Sequence, residues 1–367
     1  MYSYFIPVYA QRLGASFLDL GLIGASYSIT YALTPMLAGH LADRFNRVWL
    51  FSISIVIIVI ATLALLLSRT VQDIAIIRSV AGVAFAFFWP ISEVLVIDLA
   101  PMERRVREMG LYSVSWGSGY LIGPMAGGLV AQGFGFLWLF AISAILIAFS
   151  LLFTVVWIAP NCTGKTVEAG IDFSRTLLIM GRLLPWYVIT LCYGMISGIM
   201  LTVFPGYLNA LGVDPFLIGV LFSVLSTARL LTFSLSERLV SFGEARVLHV
   251  TSGILVASGF SLAAFPAFRW FLLTMVGIGA CFGVLFPMVI SFISRHFPNE
   301  KLGAAAGSYE AVFGFGSTAG PILAGILAQL TSIYWSFVLM SLMAATMLAV
   351  SLRNRSHEPT KLPLLAA

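Results

Sequence analysis

Eleven long apolar runs, separated by short polar turns, leave this chain few ways to fold. They cover about 20–40, 48–68, 72–99, 107–131, 135–158, 185–208, 215–236, 247–266, 270–294, 303–329 and 332–352, and a shorter run covers 2–11. At about 1.5 Å per residue, each of the eleven is long enough to cross a hydrocarbon core of about 30 Å. The runs lack the alternation of a membrane barrel, so helices are the remaining way to satisfy the backbone in lipid. Composition agrees: 60% of residues are hydrophobic and 10% are charged, against about 25% charged in soluble domains. The expected fold is an all-α polytopic membrane protein of twelve spans, with the lipid bilayer as its surroundings.

A second feature divides the chain in two. Gly110 to Gln132 reads GLYSVSWGSGYLIGPMAGGLVAQ, and 197 positions later Gly307 to Gln329 reads GSYEAVFGFGSTAGPILAGILAQ, with 9 of 23 positions identical. The same offset pairs Gly82 with Gly279, Pro90 with Pro287 and Pro101 with Pro298. Repetition of this kind is the sequence mark of many transporter folds, in which substrate binds between the repeats. The predicted organisation is two pseudo-symmetric six-helix bundles: 1–158, a polar linker 159–184, a second bundle 185–352 and a tail 353–367. Pro7, Tyr9 and Gly14 match Pro205, Tyr207 and Gly212 at offset 198, which predicts that roughly the first half of span 1 would precede Met1. Leu22-Ile23-Gly24 is matched to Leu217-Ile218-Gly219 at offset 195.

Fifteen of the twenty Lys and Arg residues fall on one side of this layout, in the 2–3, 4–5, 6–7, 8–9 and 10–11 turns and the tail, and three on the other. That bias puts the basic side and the C-terminus in the cytoplasm and suits a plasma-membrane protein. The basic residues lie in short turns, which does not suggest nucleic acid. Cys162, Cys192 and Cys281 and the four histidines lie far apart and match no metal or disulfide spacing. No nucleotide-binding loop and no nucleophile–base arrangement stands out. An enzyme, a cofactor and a metal site are therefore not expected.

The second span closes on Gly39-His-Leu-Ala-Asp43-Arg44-Phe-Asn-Arg47. This stretch resembles the loop 2–3 signature of the major facilitator superfamily, and the twelve-span duplication extends the resemblance over the whole chain. The resemblance implies a secondary transporter working by alternating access, with spans 2, 5, 8 and 11 lining the seam between halves. It implies that Gly39, Asp43, Arg44 and Arg47, with Asp98 as the carboxylate nearest at hand for Arg47, latch the cytoplasmic side. Asn46 stands where the family usually has Gly. Arg78-Ser-Val-Ala-Gly82 resembles the family's R-x-x-x-G signature, whose Arg is implicated in proton coupling; the alternative is a side chain that snorkels to the headgroups. Gly119, Gly123, Pro124, Gly127 and Gly128 resemble a signature of the drug:proton antiporter branch. Gly316, Gly320, Pro321 and Gly325 repeat it, so symmetric helix packing is the competing explanation.

Four ionisable residues within spans are candidates for coupling or substrate contact: Arg78, Glu93, Arg229 and Glu310. Glu93 could carry a proton or join the latch. Arg229 lies about 21 Å below the outer start of span 8 and Glu310 about 11 Å above the inner start of span 11. In a core of about 30 Å these depths coincide, which predicts an ion pair. Tyr27, Tyr31, Trp89, Trp116, Tyr120, Tyr193 and Phe313 fall on spans expected near a central cavity, where they would favour an apolar, cationic or weakly polar substrate; packing or lipid contact is the alternative for each. The leading expectation is proton-coupled efflux of an amphipathic small molecule by a monomer. A symporter or uniporter for a sugar or other small metabolite, and a non-transporting sensor or scaffold, stand as alternatives.

Overall fold

The computed structural model describes residues 1–34, 45–161, 184–296 and 299–354. Every regular element among them is helical. In chain order the principal helices are α1 (Ile6–Arg12), α2 (Phe17–Leu33), α3 (Arg47–Ala64), α4 (Val71–Leu99), α5 (Arg105–Gly133) and α6 (Phe136–Phe153), then α7 (Leu184–Ala210), α8 (Pro215–Ser234), α9 (Glu244–Ala264), α10 (Phe268–His296), α11 (Asn299–Leu330) and α12 (Ile333–Asn354). Nine of these, all but α1, α2 and α5, are both long and apolar enough to cross a bilayer. That is fewer than the eleven expected. α2 is described only as far as Leu33, and α5 has the length but is diluted by glycine, serine and charge. Much of the 159–184 linker and the tail from 355 lie outside the described residues, as does Cys162. Cys192 and Cys281 are buried free thiols.

Local chemistry sets the helix ends. Ser16 caps α2 and Thr70 caps α4, each in a capping box with the aspartate three residues on, Asp19 and Asp73. Asn46 caps α3 by accepting from the Val48 and Trp49 amides, so the residue that replaces the family's glycine starts the next helix. Gly14 and Gly212 take left-handed φ values of 87° and 75° in the turns after α1 and α7. They are partners at offset 198, and the duplication therefore reaches the turn backbone.

The outside of the molecule is apolar. α6 turns Trp138, Ile145, Leu146, Phe149 and Leu152 outward, while α7 is almost wholly enclosed. Peripheral α3 packs on α4 and α6, and its counterpart α9 packs on α10 and α12. Such a surface requires a hydrocarbon environment, and the chain is a multi-pass membrane protein.

Below, inner and outer denote the basic and charge-poor ends of the bundle. The two halves meet along two helix pairs, α2 with α11 and α5 with α8. A Cβ on Gly21 would overlap the Pro321 carbonyl, and one on Gly219 would overlap the Pro124 carbonyl. Gly219 is therefore the counterpart of Gly21 at offset 198, not of Gly24 as the local LIG match suggested. Gly24 instead faces Thr202 of α7. Gly325 abuts Phe17 and Leu18, and Gly314 abuts Ala32; Gly128 abuts Pro215 and Phe216, and Gly117 abuts Leu230. From Phe17 to Ala32 that is about 22 Å of close packing measured from the outer face. At the outer end Asn209 donates to Gln11 at 2.9 Å, a hydrogen bond between two residues 198 positions apart. The outer side of the seam is closed.

Candidate substrate cavity

Between the halves lies a small cavity of about 80 Å³, below the usual range for small-molecule sites. Five segments contribute its wall. Trp116 and Tyr120 come from α5, Ser197 and Met200 from α7, and Leu225, Ser226, Arg229 and Leu230 from α8. Phe282 comes from α10 and Tyr4 from the turn of helix leading into α1. Ser226 and Arg229 are three residues apart and share one face of α8. The Tyr4 ring stacks on Phe222 at 4.4 Å. Trp116 meets Tyr120 edge to face at 5.8 Å, Trp89 at 6.5 Å and Phe233 at 6.5 Å.

The expected aromatics thus divide three ways. Trp116 and Tyr120 line the cavity, with Trp89 behind them. Tyr27 and Tyr31 stack on each other at 6.0 Å along α2. Tyr193 is buried and packs between Phe282 and Phe313, at 5.1 Å from each ring. Tyr4, Ser197 and Ser226 were missed from the sequence. Ser226 could have been found, since it lies one turn before Arg229; Tyr4 carries no such signal.

The predicted pairing of Arg229 with Glu310 is not observed. Depth along a span follows from position in the sequence, but lateral position does not. α8 packs on α5 and α10, whereas α11 packs on α2 and α7. Tyr193 of α7 lies within electrostatic reach of both charges. Among the described residues Arg229 has no ion-pair partner. Glu310 instead lies within reach of Glu93 across the seam, and Tyr31 lies in the field of both.

Arg78 lies with its guanidinium 4.0 Å over the Tyr27 ring, a cation–π contact. Glu93 is solvent-accessible, and no ion pair joins it to Arg47, which bonds Asp98 instead at 2.7 Å. That ion pair ties the start of α3 to the end of α4. Gly39, Asp43 and Arg44 lie outside the described residues.

The glycine signature separates into two faces. Gly117, Pro124 and Gly128, like Gly314, Pro321 and Gly325, grip across the seam. Gly316 and Gly320 pack against Leu191, Gly194 and Met195 of α7, and Gly123 and Gly127 pack against Met1 and Phe5. A Cβ on Gly119, the counterpart of Gly316, would meet none of the described residues within 4 Å.

The sequence model of the Major Facilitator Superfamily matches residues 1–241 and 186–366. The multidrug resistance protein 1 of Bacillus subtilis is 23% identical over 361 residues, which is 96% of this chain and 91% of that protein. A chain of Escherichia coli O6:H1 named multidrug resistance protein MdtD is 29% identical over 174 residues, 47% of this chain and 36% of its own length. The match therefore spans little more than a third of the MdtD relative. Among solved structures, a point mutant of the nucleoside transporter NupG superposes with a TM-score of 0.82 at 15% identity, covering 98% of this chain and 96% of that one. A bacterial homologue of the lysosomal transporter Spinster, inward-facing and unoccupied, gives 0.75 at 14%, covering 98% and 95%. Likeness at that identity speaks for the fold, and the family match speaks for descent: this chain belongs to the Major Facilitator Superfamily.

Proposed function

We propose that the chain is a proton-coupled exporter of amphipathic small molecules, alternating access between its halves in the plasma membrane with its C-terminus in the cytoplasm. The observation that carries the reading is the division of labour in the seam. An aromatic cavity lies beneath a closed outer side, and two carboxylates that line no part of that cavity, Glu93 and Glu310, have no ion-pair partner among the described residues. Ionisable groups at membrane depth mark ion or proton pathways, and here they are spatially separate from the ring-lined pocket. The multidrug resistance names of two relatives favour efflux over uptake. The nucleoside and Spinster transporters share the fold at low identity and do not bear on the substrate.

The test uses the full chain in vesicles with a pH-sensitive dye inside. For export by exchange, substrate and protons move in opposite directions, and Glu310→Gln abolishes the proton signal while the protein stays folded. Parallel movement of protons and substrate would establish symport, and movement of neither would establish a sensor or scaffold.

A further inference from the structure

We infer that the cavity binds a flat aromatic anion, such as a carboxylate or sulfonate on a fused ring, with Arg229 reading the negative group. The inference rests on the transport reading of this cavity and narrows its substrate class, away from the apolar or cationic class that the aromatic residues alone favoured.

The argument begins with charge. A guanidinium is always protonated, and at membrane depth it needs a counter-charge or a polar cradle. Arg78 has the Tyr27 ring as its partner. Arg229 has no carboxylate among the described residues, and the groups within its electrostatic reach are the tyrosines Tyr4, Tyr120, Tyr193 and Tyr309. Glu93 and Glu310 do not line the cavity; Arg229 does. The fixed charge presented to a ligand there is positive. A cationic ligand would find ring faces to stack on but would also meet Arg229, and that repulsion is strongest in a site shielded from water.

The rest of the wall supplies the shape. Trp116 and Tyr120 stand edge to face, Phe282 comes from α10, and Ser197 and Ser226 add hydroxyl-bearing side chains to the lining. Flat rings fit such a wall, and the fork of five N–H donors on an arginine matches a planar carboxylate in two parallel hydrogen bonds.

The test uses three probes of nearly equal shape: 2-naphthoate, 2-naphthamide and 2-naphthylmethylammonium. Calorimetry on the detergent-purified full chain reads their affinities. The anion is expected to bind about tenfold tighter than the neutral amide, the scale of one charge-assisted contact, and the cation to bind weakest. Arg229→Lys should keep the order and Arg229→Met should erase the difference between anion and amide. If Arg229→Met does not give a folded protein, the three wild-type affinities and Arg229→Lys still decide. Equal binding of all three, preference for the cation, no binding of the anion, or an anion preference that survives in Arg229→Met would each overturn the inference. Proton-coupled movement of neutral or cationic compounds with no anion preference would overturn it and leave the export reading standing. Tight anion binding without any movement across the membrane would do the reverse.

Discussion

The repeated segments of α5 and α11 have nearly a common sequence but unequal surroundings. Across the seam they behave alike: Pro124 meets Gly219 as Pro321 meets Gly21, and Gly128 meets the start of α8 as Gly325 meets the start of α2. On the other face they differ. Gly316 lies against Leu191 and Gly194 of α7, whereas a Cβ on Gly119 would meet none of the described residues within 4 Å. The same holds for the repeated tyrosines. Tyr112 shares a hydrogen bond of 2.7 Å with Ser92. Tyr309 keeps the ring, but its buried hydroxyl has no partner among the described residues, and Val289 stands at the position matching Ser92. A duplicated motif therefore fixes how a helix can be gripped, and its neighbours decide whether it is.

That contrast can be broken most sharply at the matched glycines. Gly316→Ala puts a Cβ into the Leu191 carbonyl and should cost about 1–3 kcal/mol through overpacking. Gly119→Ala meets no atom and should be neutral, or stabilising by up to about 1 kcal/mol through helix propensity. Thermal unfolding in detergent measures both, and equal losses would mean that the two faces are alike after all. The tyrosines come next. Tyr112→Phe should cost about 0.5–1.5 kcal/mol, while Tyr309→Phe should be neutral or slightly stabilising, because it removes an unsatisfied group. A loss at Tyr309 matching that at Tyr112 would reveal a partner for its hydroxyl.

Smaller effects test the charges. Arg47 and Asp98 form their bond with the carboxylate 41% exposed, so a double-mutant cycle should give a coupling of about 0.2–1 kcal/mol that falls as salt is raised. A coupling that salt leaves unchanged would mean that the pair is shielded. Smallest is the coupling between Arg229→Met and Glu310→Gln. Since α8 and α11 pack on different neighbours, their stability effects should add to within about 0.3–0.5 kcal/mol. A stronger coupling of either sign would bring the two side chains into contact in some state of the protein.

Much of this was legible in the residues. The lengths of the apolar runs were enough to predict spanning helices. The offset of 197 matched α5 to α11 and their glycines, and the family resemblance implied that both line the seam. Arg47 and Asp98 could be paired from their places at the ends of consecutive spans, because short turns leave little freedom there. The cavity was only half legible. Trp116 and Tyr120 stood out as aromatics on a seam helix, but Tyr4 and Phe282 reach the same space from segments far apart in the chain. Sequence position places a side chain along the bilayer normal at a fixed rise per residue, so the equal depths of Arg229 and Glu310 could be estimated. It does not fix the position of one helix relative to another in the membrane plane. That depends on which glycine faces which carbonyl, as with Gly21 against Pro321 and Gly219 against Pro124. The sequence by itself determined the medium, the duplication and the depth of each charge. Only the tertiary structure decided that Arg229 lines the aromatic cavity while Glu310 does not, because lateral helix packing is set by contacts between distant segments that no spacing along the chain encodes.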